Sequence, residues 1–291
     1  MEQPTGINVI IWSKDRPIQL NLCLESLVKN FKEAPTSTIN VVYRASTESY
    51  TKAYDSLREG WRDRELQGAP RINFIYETNF YLMTSMAFGY HPQTMFVVDD
   101  QVFYNEFSIH DEPFRMQRAA PDKYFTISLR LDPTKDYCYP IDQKQPIPEF
   151  SFNNGETIAW PWNKAQFDWG YVASLDGNVY LTNPIRSLFM KFPPQQMQNP
   201  NVLEMLLNTA AQQGAVVYPP QIIAYAKAKT ISVPANKVQT TFENRFEDKF
   251  SVEMLFEEWE KGNKIDLEDA IIKAKTSNSP HTPIDYVFIT Q

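Results

Sequence analysis

Cysteine and histidine are scarce in this sequence, and neither is arranged as a metal site. Only two cysteines occur in 291 residues, Cys23 and Cys138, and they form no CxxC pair. We therefore expect no disulfide framework, no cysteine zinc site, and a reducing compartment. The three histidines, His91, His110 and His281, are scattered and belong to no HExxH motif, so a histidine zinc site is not expected either.

Signals for membranes, secretion and nucleic acid are also absent. No apolar run approaches the roughly 20 residues that a membrane helix needs. The opening residues MEQPT lack the basic start and long apolar core of a secretion signal. The net charge of −7 argues against a basic face that neutralises phosphates. We expect a cytoplasmic protein with no membrane span and no nucleic-acid partner; the oligomeric state is not indicated.

The enzyme fingerprints GxSxG, P-loop and GxGxxG do not occur, which removes the standard hydrolase, NTPase and dinucleotide-binding classes. With 43% hydrophobic and 22% charged residues, the chain has an ordinary globular composition. Its length is that of one large or two small domains.

Strand and helix patterns alternate through about the first hundred residues. The predicted strands are 7–12, 39–43, 71–76 and 94–98, and the predicted helices are 17–31, 50–61 and 82–90. The first helix has Asp15 as a candidate cap and Pro17 in its first turn. This order predicts an α/β fold with a mostly parallel sheet and helices on both faces.

The pattern is looser after residue 100. We predict strands at 124–130, 170–175 and 230–233, helices at 182–190 and 201–211, and a binding loop at 132–149. Residues 251–275 form an acidic helical stretch that Gly262 interrupts. The predicted division is a main domain, 1–246, with a helical C-terminal appendage, 247–291, packed on it.

Polar side chains follow each of the first four strands, where ligands bind in open α/β sheets. Asp99 and Asp100 directly follow the fourth strand. Adjacent carboxylates repel each other, and a divalent cation such as Mg²⁺ or Mn²⁺, which also grips phosphate oxygens, would offset that repulsion. The alternative is an acidic pair that caps a strand turn.

The order of strands, the DRP loop and the VVDDQVF segment together resemble the GT-A fold of nucleotide-sugar glycosyltransferases. The segments SLRL, DWGYVASLDG, NPNVLE and SVPANKVQ are similar to a group of bacterial and viral transferases of that fold. The resemblance covers roughly residues 7–233. It implies a metal, Mn²⁺ or Mg²⁺, at Asp99, Asp100 and Gln101, although Gln101 stands where the usual DxD motif has a carboxylate.

The resemblance also implies roles for other residues. The donor-binding candidates are Ser13, Asp15, Arg16, Arg44 and Asp99. The candidate general base of an inverting reaction is Glu204, with Asp176 and Asp168 as rivals. Apart from the resemblance, three of the six tryptophans lie beside polar groups in residues 160–169, which makes Trp162 and Trp169 candidates for stacking on an acceptor sugar. Each candidate also has a structural explanation. Glu204 would be favoured by the dipole of its helix, and Asp176 would belong to a simple turn. The arginines would be solvated charges at the rim, and the tryptophans would pack in the core.

The predicted function is a metal-dependent glycosyltransferase that moves a sugar from a nucleoside-diphosphate donor to an acceptor hydroxyl, in glycan or cell-envelope polysaccharide synthesis. A nucleotidyltransferase is an alternative, but the loop after the first strand lacks the glycines usual in that class. A non-catalytic nucleotide-sugar-binding protein is the other alternative, because Gln101 weakens the metal motif.

Overall fold

The computed structural model describes residues 4–238 and 249–291. Within them the strands are β1 Asn8–Lys14, β2 Thr38–Arg44, β3 Ile72–Tyr76, β4 Gln93–Val98, β5 Gln101–Phe103, β6 Tyr124–Ser128, β7 Tyr137–Cys138, β8 Gln143–Lys144, β9 Phe152–Asn153, β10 Thr157–Pro161, β11 Asn178–Leu181, β12 Gln221–Tyr225, β13 Thr230–Ser232, β14 Asn263–Ile265 and β15 Phe288–Thr290. The helices are α1 Pro17–Asn30, α2 Glu48–Leu66, α3 Phe80–Ala87, α4 Glu112–Ala119, α5 Phe167–Gly170, α6 Thr182–Phe189, α7 Pro200–Gln212, α8 Val252–Glu260 and α9 Leu267–Lys275.

A central sheet organises the chain. In the described residues it has nine strands in the order β3-β2-β1-β4-β11-β6-β12-β10-β9. The pairings show that seven of these strands run in one direction and that β10 and β11 run against them. The predicted α/β class with a mostly parallel sheet and flanking helices is confirmed.

The predicted elements of the first hundred residues all form, close to their predicted bounds. Strand β1 is buried along almost its whole length because its apolar run faces helices on both sides of the sheet. Helix α2 buries one stripe of side chains, which includes Tyr54 and Trp61, and exposes the rest.

The predicted strand at 170–175 is wrong. Its apolar side chains are buried, but the backbone there is irregular because the Asn208 amide binds both backbone groups of Ala173, at 3.1 Å each. The strand of this region is β11, inserted antiparallel between β4 and β6. Strands β12, β10 and β9, which complete the sheet, were not predicted.

Helices α8 and α9 pack on α1. One apolar cluster joins Ile18 and Leu22 of α1 to Leu255 of α8 and Ile271 of α9. Gly262 ends α8 with φ +78° and separates the two helices, as predicted. The predicted boundary at 246/247 lies outside the described residues, so the division into domain and appendage stays a prediction. None of the helices in the described ranges has the length and apolar character needed to cross a bilayer.

Gly6 lies where the chain enters β1 and has no space for a side chain. A Cβ at Gly6 would stand 2.4 Å from the carbonyl oxygen of Thr36, so we expect Gly6→Ala to lower the free energy of unfolding by about 1–3 kcal/mol. Gly60, inside α2, is the matched control because an added Cβ meets no described atom within 4 Å. Gly60→Ala should instead raise stability by about 0.5–1 kcal/mol. Urea denaturation of both variants checks this; equal effects would contradict it.

Candidate functional site

A cleft of about 980 Å³ opens at the carboxyl ends of β1, β2 and β4. Loops from the second half of the chain close its other side. Of the predicted site residues, the structure brings eight to this cleft: Ser13, Arg16, Arg44, Asp99, Asp100, Asp168, Asp176 and Glu204.

Asp99 lies at the base of the cleft with both carboxylate oxygens engaged. Its Oδ1 accepts a hydrogen bond from Arg16 Nη1 at 3.0 Å, and its Oδ2 accepts from the Ser13 hydroxyl at 2.8 Å and the Lys14 backbone N–H at 3.3 Å. Burial raises the pKa of Asp99, and the charge of Arg16 opposes that rise. Asp99 therefore anchors the loop after β1, and each of its oxygens already accepts at least one hydrogen bond from the protein.

Arg16 continues the same network away from the sheet. Its Nε donates to the Asn236 side chain at 2.8 Å, and its Nη2 donates to the Asn236 carbonyl at 2.6 Å. The Tyr54 hydroxyl accepts from the Arg16 backbone N–H at 3.1 Å and lies 2.6 Å from the Ser13 hydroxyl. Arg16 thus ties α1 to the segment after β13, and most of its donors are used within the protein.

Asp100 differs from its neighbour. Its Oδ1 is buried and has no hydrogen-bond partner among the described residues, while its Oδ2 is 3.6 Å from Arg16 Nη1. Burial raises the pKa of Asp100 to about 7; Arg16 opposes this shift, and the charges of Asp99 and Asp176 add to it. An orphaned carboxylate oxygen in a polar cleft is a suitable ligand for a hard cation.

Gln101 does not fit the predicted metal role. Its Oε1 accepts from the Val98 backbone N–H at 3.3 Å, and its side chain is fully buried against Gly177. Across residues 4–238 and 249–291, no group of three or more His, Cys, Asp or Glu side chains is arranged to hold a metal ion. A metal would fit with Asp100 as a protein carboxylate and with phosphate oxygens of a ligand as further donors.

The remaining donor-binding candidates take two different positions. Arg44 lines the cleft, is largely exposed, and lies 3.8 Å from Glu77. Asp15 is absent from the cleft wall and does not cap α1. It has φ +56°, and its Oδ1 accepts from the Ser46 backbone N–H at 2.7 Å, so it joins the loops after β1 and β2.

On the opposite wall, four ionisable side chains form one network. His281 Nε2 is 3.0 Å from Asp176 Oδ2, and Arg130 Nη1 is 3.3 Å from both ring nitrogens of His281 and 3.4 Å from Asp168 Oδ1. Burial opposes the charged form of His281, but the hydrogen bond to Asp176 and the charges of Asp168 and Asp176 together outweigh it and raise the pKa of His281. Burial likewise opposes ionisation of Asp176, yet the hydrogen bond and charge of His281 lower its pKa.

Glu204, the fifth residue of α7, is a carboxyl group on this wall whose ionisation is opposed by its surroundings. Asn199 caps that helix by accepting from the Val202 backbone N–H, and Glu204 Oε1 accepts from the Leu175 backbone N–H at 2.8 Å. Burial first, and the charge of Asp176 second, raise the pKa of Glu204 to about 7. This carboxyl can therefore exchange a proton near neutral pH.

The structure does not bring the two predicted tryptophans to the cleft. Trp169 is fully buried, packs 4.7 Å from Trp160 between ring centroids, and donates to the Lys135 carbonyl. Trp162 donates to the Pro219 carbonyl and packs beside the core. Neither tryptophan lines the cleft: Trp169 lies in the core, and Trp162 is half-buried in the turn after β10.

The sequence prediction gave no role to Arg130 or His281. Arg130 lies in the SLRL segment that carried the resemblance, but a single arginine after a strand has no distinguishing pattern. His281 is about a hundred residues from Asp176 along the chain, and only the fold brings them together.

The fold and the cleft define an α/β protein with a candidate ligand site at the carboxyl ends of its strands. The chain is 28% identical over 203 residues to the bifunctional glycosyltransferase pgtA of Dictyostelium discoideum, and this match covers 63% of the chain. The match covers 25% of the length of that curated relative. The predicted resemblance to glycosyltransferases is confirmed by this similarity. No family model matches the chain.

Solved structures give a more distant similarity. Residues 1–349 of TarS from S. aureus share 13% identity with a TM-score of 0.46, over 78% of this chain and 60% of that one. The mannosyltransferase PcManGT of Pyrobaculum calidifontis, in complex with GDP-Man and Mn²⁺, shares 12% identity with a TM-score of 0.39, over 78% of this chain and 58% of that one.

Removing the charge of Asp99 should leave Arg16 as a buried cation without its closest anionic partner. We expect Asp99→Asn to lower the free energy of unfolding by about 3 kcal/mol. The control is Asp55→Asn, which breaks a largely exposed pair with Arg58 on α2 and should cost less than about 1 kcal/mol. Chemical denaturation of the ligand-free proteins checks the difference. Equal losses would show that the Arg16–Asp99 pair contributes no more than a surface pair.

Because the pKa of Glu204 is raised, we expect Glu204→Gln to increase the free energy of unfolding by an amount that depends on pH. Because the folded protein keeps a proton that the unfolded chain releases above about pH 4.5, wild-type stability falls as the pH rises towards 7. Glutamine avoids that cost, so the variant should gain about 1–3 kcal/mol above pH 7 and nothing near pH 4.

Denaturation at pH 4, 6 and 8 measures this gain. Glu59→Gln on the exposed face of α2 is the control and should change stability little at any of the three pH values. A gain for Glu204→Gln that is the same at pH 4 and pH 8 would contradict the prediction.

Proposed function

We propose that this chain transfers a sugar from a nucleoside-diphosphate donor to an acceptor hydroxyl, with inversion at the sugar. The observation that carries the proposal is the buried, unpartnered Oδ1 of Asp100, which lies at a strand end in a cleft shared with Asp176 and Glu204. The sequence similarity to a curated glycosyltransferase supports the same activity.

The donor would occupy the side of the cleft formed by the loops after β1 and β2. Lys14, Arg44 and Lys237 line that side and supply positive charge for a diphosphate. Ser13 and Arg16 are bound to Asp99 and keep the cleft wall in place. Asp15 would act indirectly, by holding the two loops together through Ser46.

The proposed cofactor is Mn²⁺ or Mg²⁺. Asp100 would supply the protein carboxylate and the donor's diphosphate the remaining charged ligands, since this arrangement with few protein ligands is common for Mg²⁺. When bound, such a cation neutralises charge on a departing diphosphate. Asp99 is assigned to the structural network and not to the metal, because both of its oxygens are engaged.

Glu204 is the proposed general base. A base works best when its pKa is near the working pH, and the pKa of Glu204 is raised to about 7. Asp176 is the weaker candidate because His281 stabilises its charged form and lowers its pKa. The acceptor oxygen would bond to the anomeric carbon as the bond to the diphosphate breaks, and the acceptor proton would pass to Glu204. Asp168, bound to Arg130, would position this wall.

One observation favours a second candidate, a nucleotide-sugar-binding protein without turnover. The oxygens of Asp99 and of Gln101 are engaged by the protein, which leaves Asp100 alone to bind a metal. This candidate predicts donor binding with no release of nucleoside diphosphate.

Thermal unfolding with UDP, GDP or dTDP, with and without Mn²⁺, tests the donor site. We expect one nucleotide to stabilise the protein only when Mn²⁺ is present, by about 2.7 kcal/mol at a hundredfold excess over its dissociation constant. Asp100→Asn should abolish this shift because the free carboxylate is lost. Asp55→Asn on α2 should retain it.

Turnover separates the candidates once a nucleotide has been found. Glu204→Gln should bind the nucleotide as wild type does and lose release of nucleoside diphosphate from the matching sugar donor. Binding without release in wild type would favour the non-catalytic protein, and pyrophosphate release would indicate a nucleotidyltransferase. If no nucleotide shifts the unfolding of wild type with Mn²⁺, the proposed function is wrong.

A further inference from the structure

Apolar side chains are exposed on the side of the cleft that faces the loops after β1 and β2. Phe167, Ile141 and Met205 line the cleft there with 38%, 45% and 39% of their surface exposed. They come from three separate parts of the chain: the start of α5, the loop between β7 and β8, and helix α7. The cleft that holds the acidic side chains therefore also exposes apolar side chains to a ligand.

Phe167 has a backbone conformation that does not suit its side chain. Its φ is +51°, in the left-handed region that glycine adopts freely and that costs free energy for a bulky residue. The core does not enclose this residue either, because more than a third of the surface of Phe167 is exposed. Neither the local backbone nor the packing accounts for a phenylalanine at this position, and strain of this kind is concentrated at functional sites.

The residues that follow Phe167 hold it in this conformation. The Asp168 backbone N–H donates to Gln145 Oε1 at 3.1 Å, and its carboxylate binds Arg130. Trp169 is locked in the core by its bond to the Lys135 carbonyl. Gly170 packs so closely that a Cβ there would be 2.6 Å from the Ala165 carbonyl oxygen. The ring of Phe167 is therefore presented to the cleft by a rigid support.

We propose that Phe167 is the stacking platform for a pyranose ring of the acceptor, with Ile141 and Met205 beside it. One face of a pyranose carries C–H groups, which pack on an aromatic face while the hydroxyl groups remain free to form hydrogen bonds. Glu204 and Asp176 line the same cleft, so a sugar stacked on Phe167 would share that cleft with the proposed base. The acceptor is thus a saccharide. This inference rests on the proposed glycosyl transfer.

The test compares variants at Phe167 by saturation-transfer NMR with a panel of methyl pyranosides as probes. Phe167→Ala removes the ring and keeps the strain, while Phe167→Gly removes both, so thermal unfolding of the glycine variant should be equal to or above that of wild type. Phe167→Trp keeps an aromatic face. Tyr90→Ala removes an aromatic side chain that is fully exposed and outside the cleft wall.

At least one pyranoside should bind wild type, with saturation strongest on the C–H protons of one face. Affinity should fall at least fivefold in both Phe167→Ala and Phe167→Gly, and stay within twofold in Phe167→Trp and Tyr90→Ala. No bound pyranoside in wild type, or unchanged binding by the stable glycine variant, would overturn the proposal. The shift in thermal unfolding caused by the nucleotide with Mn²⁺ is measured on the same variants. If wild type shows no shift, the proposed donor site is wrong. If all variants show the same shift, the donor site is intact in each of them, and any loss of pyranoside binding is due to the change at Phe167.

Discussion

The buried ion pair between Arg16 and Asp99 is the contact on which the cleft depends. It joins the start of α1 to the end of β4, and the bonds of Arg16 to Asn236 extend it to the segment after β13. An isolated buried charge is very costly, so neither partner can move away from the other without a new source of compensation. The wall that holds the donor candidates is therefore fixed before any ligand arrives.

The strand and helix order could be predicted because it is encoded locally. The apolar run of β1 and the stripe of α2 that ends in Trp61 are periodic patterns that need no knowledge of the rest of the chain. Strand β11 could not be predicted in this way. Its position is decided by pairing with β4 and β6, and the neighbouring segment with Ala173 carries just as apolar a sequence on an irregular backbone.

Only part of the candidate site could be predicted, because only some of its residues belong to local patterns. Asp99 and Asp100 follow a recognisable strand, so the pair could be predicted. Their different roles depend on which of them forms the hydrogen bond with Arg16, and the sequence does not indicate this. Arg130 and His281 could not be predicted because their partners are distant along the chain. Trp162 and Trp169 were predicted in the site but do not line the cleft. A cluster of aromatic residues beside polar ones has the same sequence pattern whether it faces a ligand or the core.

The position of His281 has a consequence for how the protein is made. Its ring closes the wall of the cleft against Asp176 and Arg130, and its backbone bridges Ser232. The strands of the central sheet lie within residues 8–225. On the ribosome, the sheet can assemble while the chain is still growing, but Asp176 receives its histidine partner only after residue 281 has emerged from the exit tunnel. The scaffold precedes the finished cleft in time, because the charge balance of this wall is completed only after the strands of the sheet have been made.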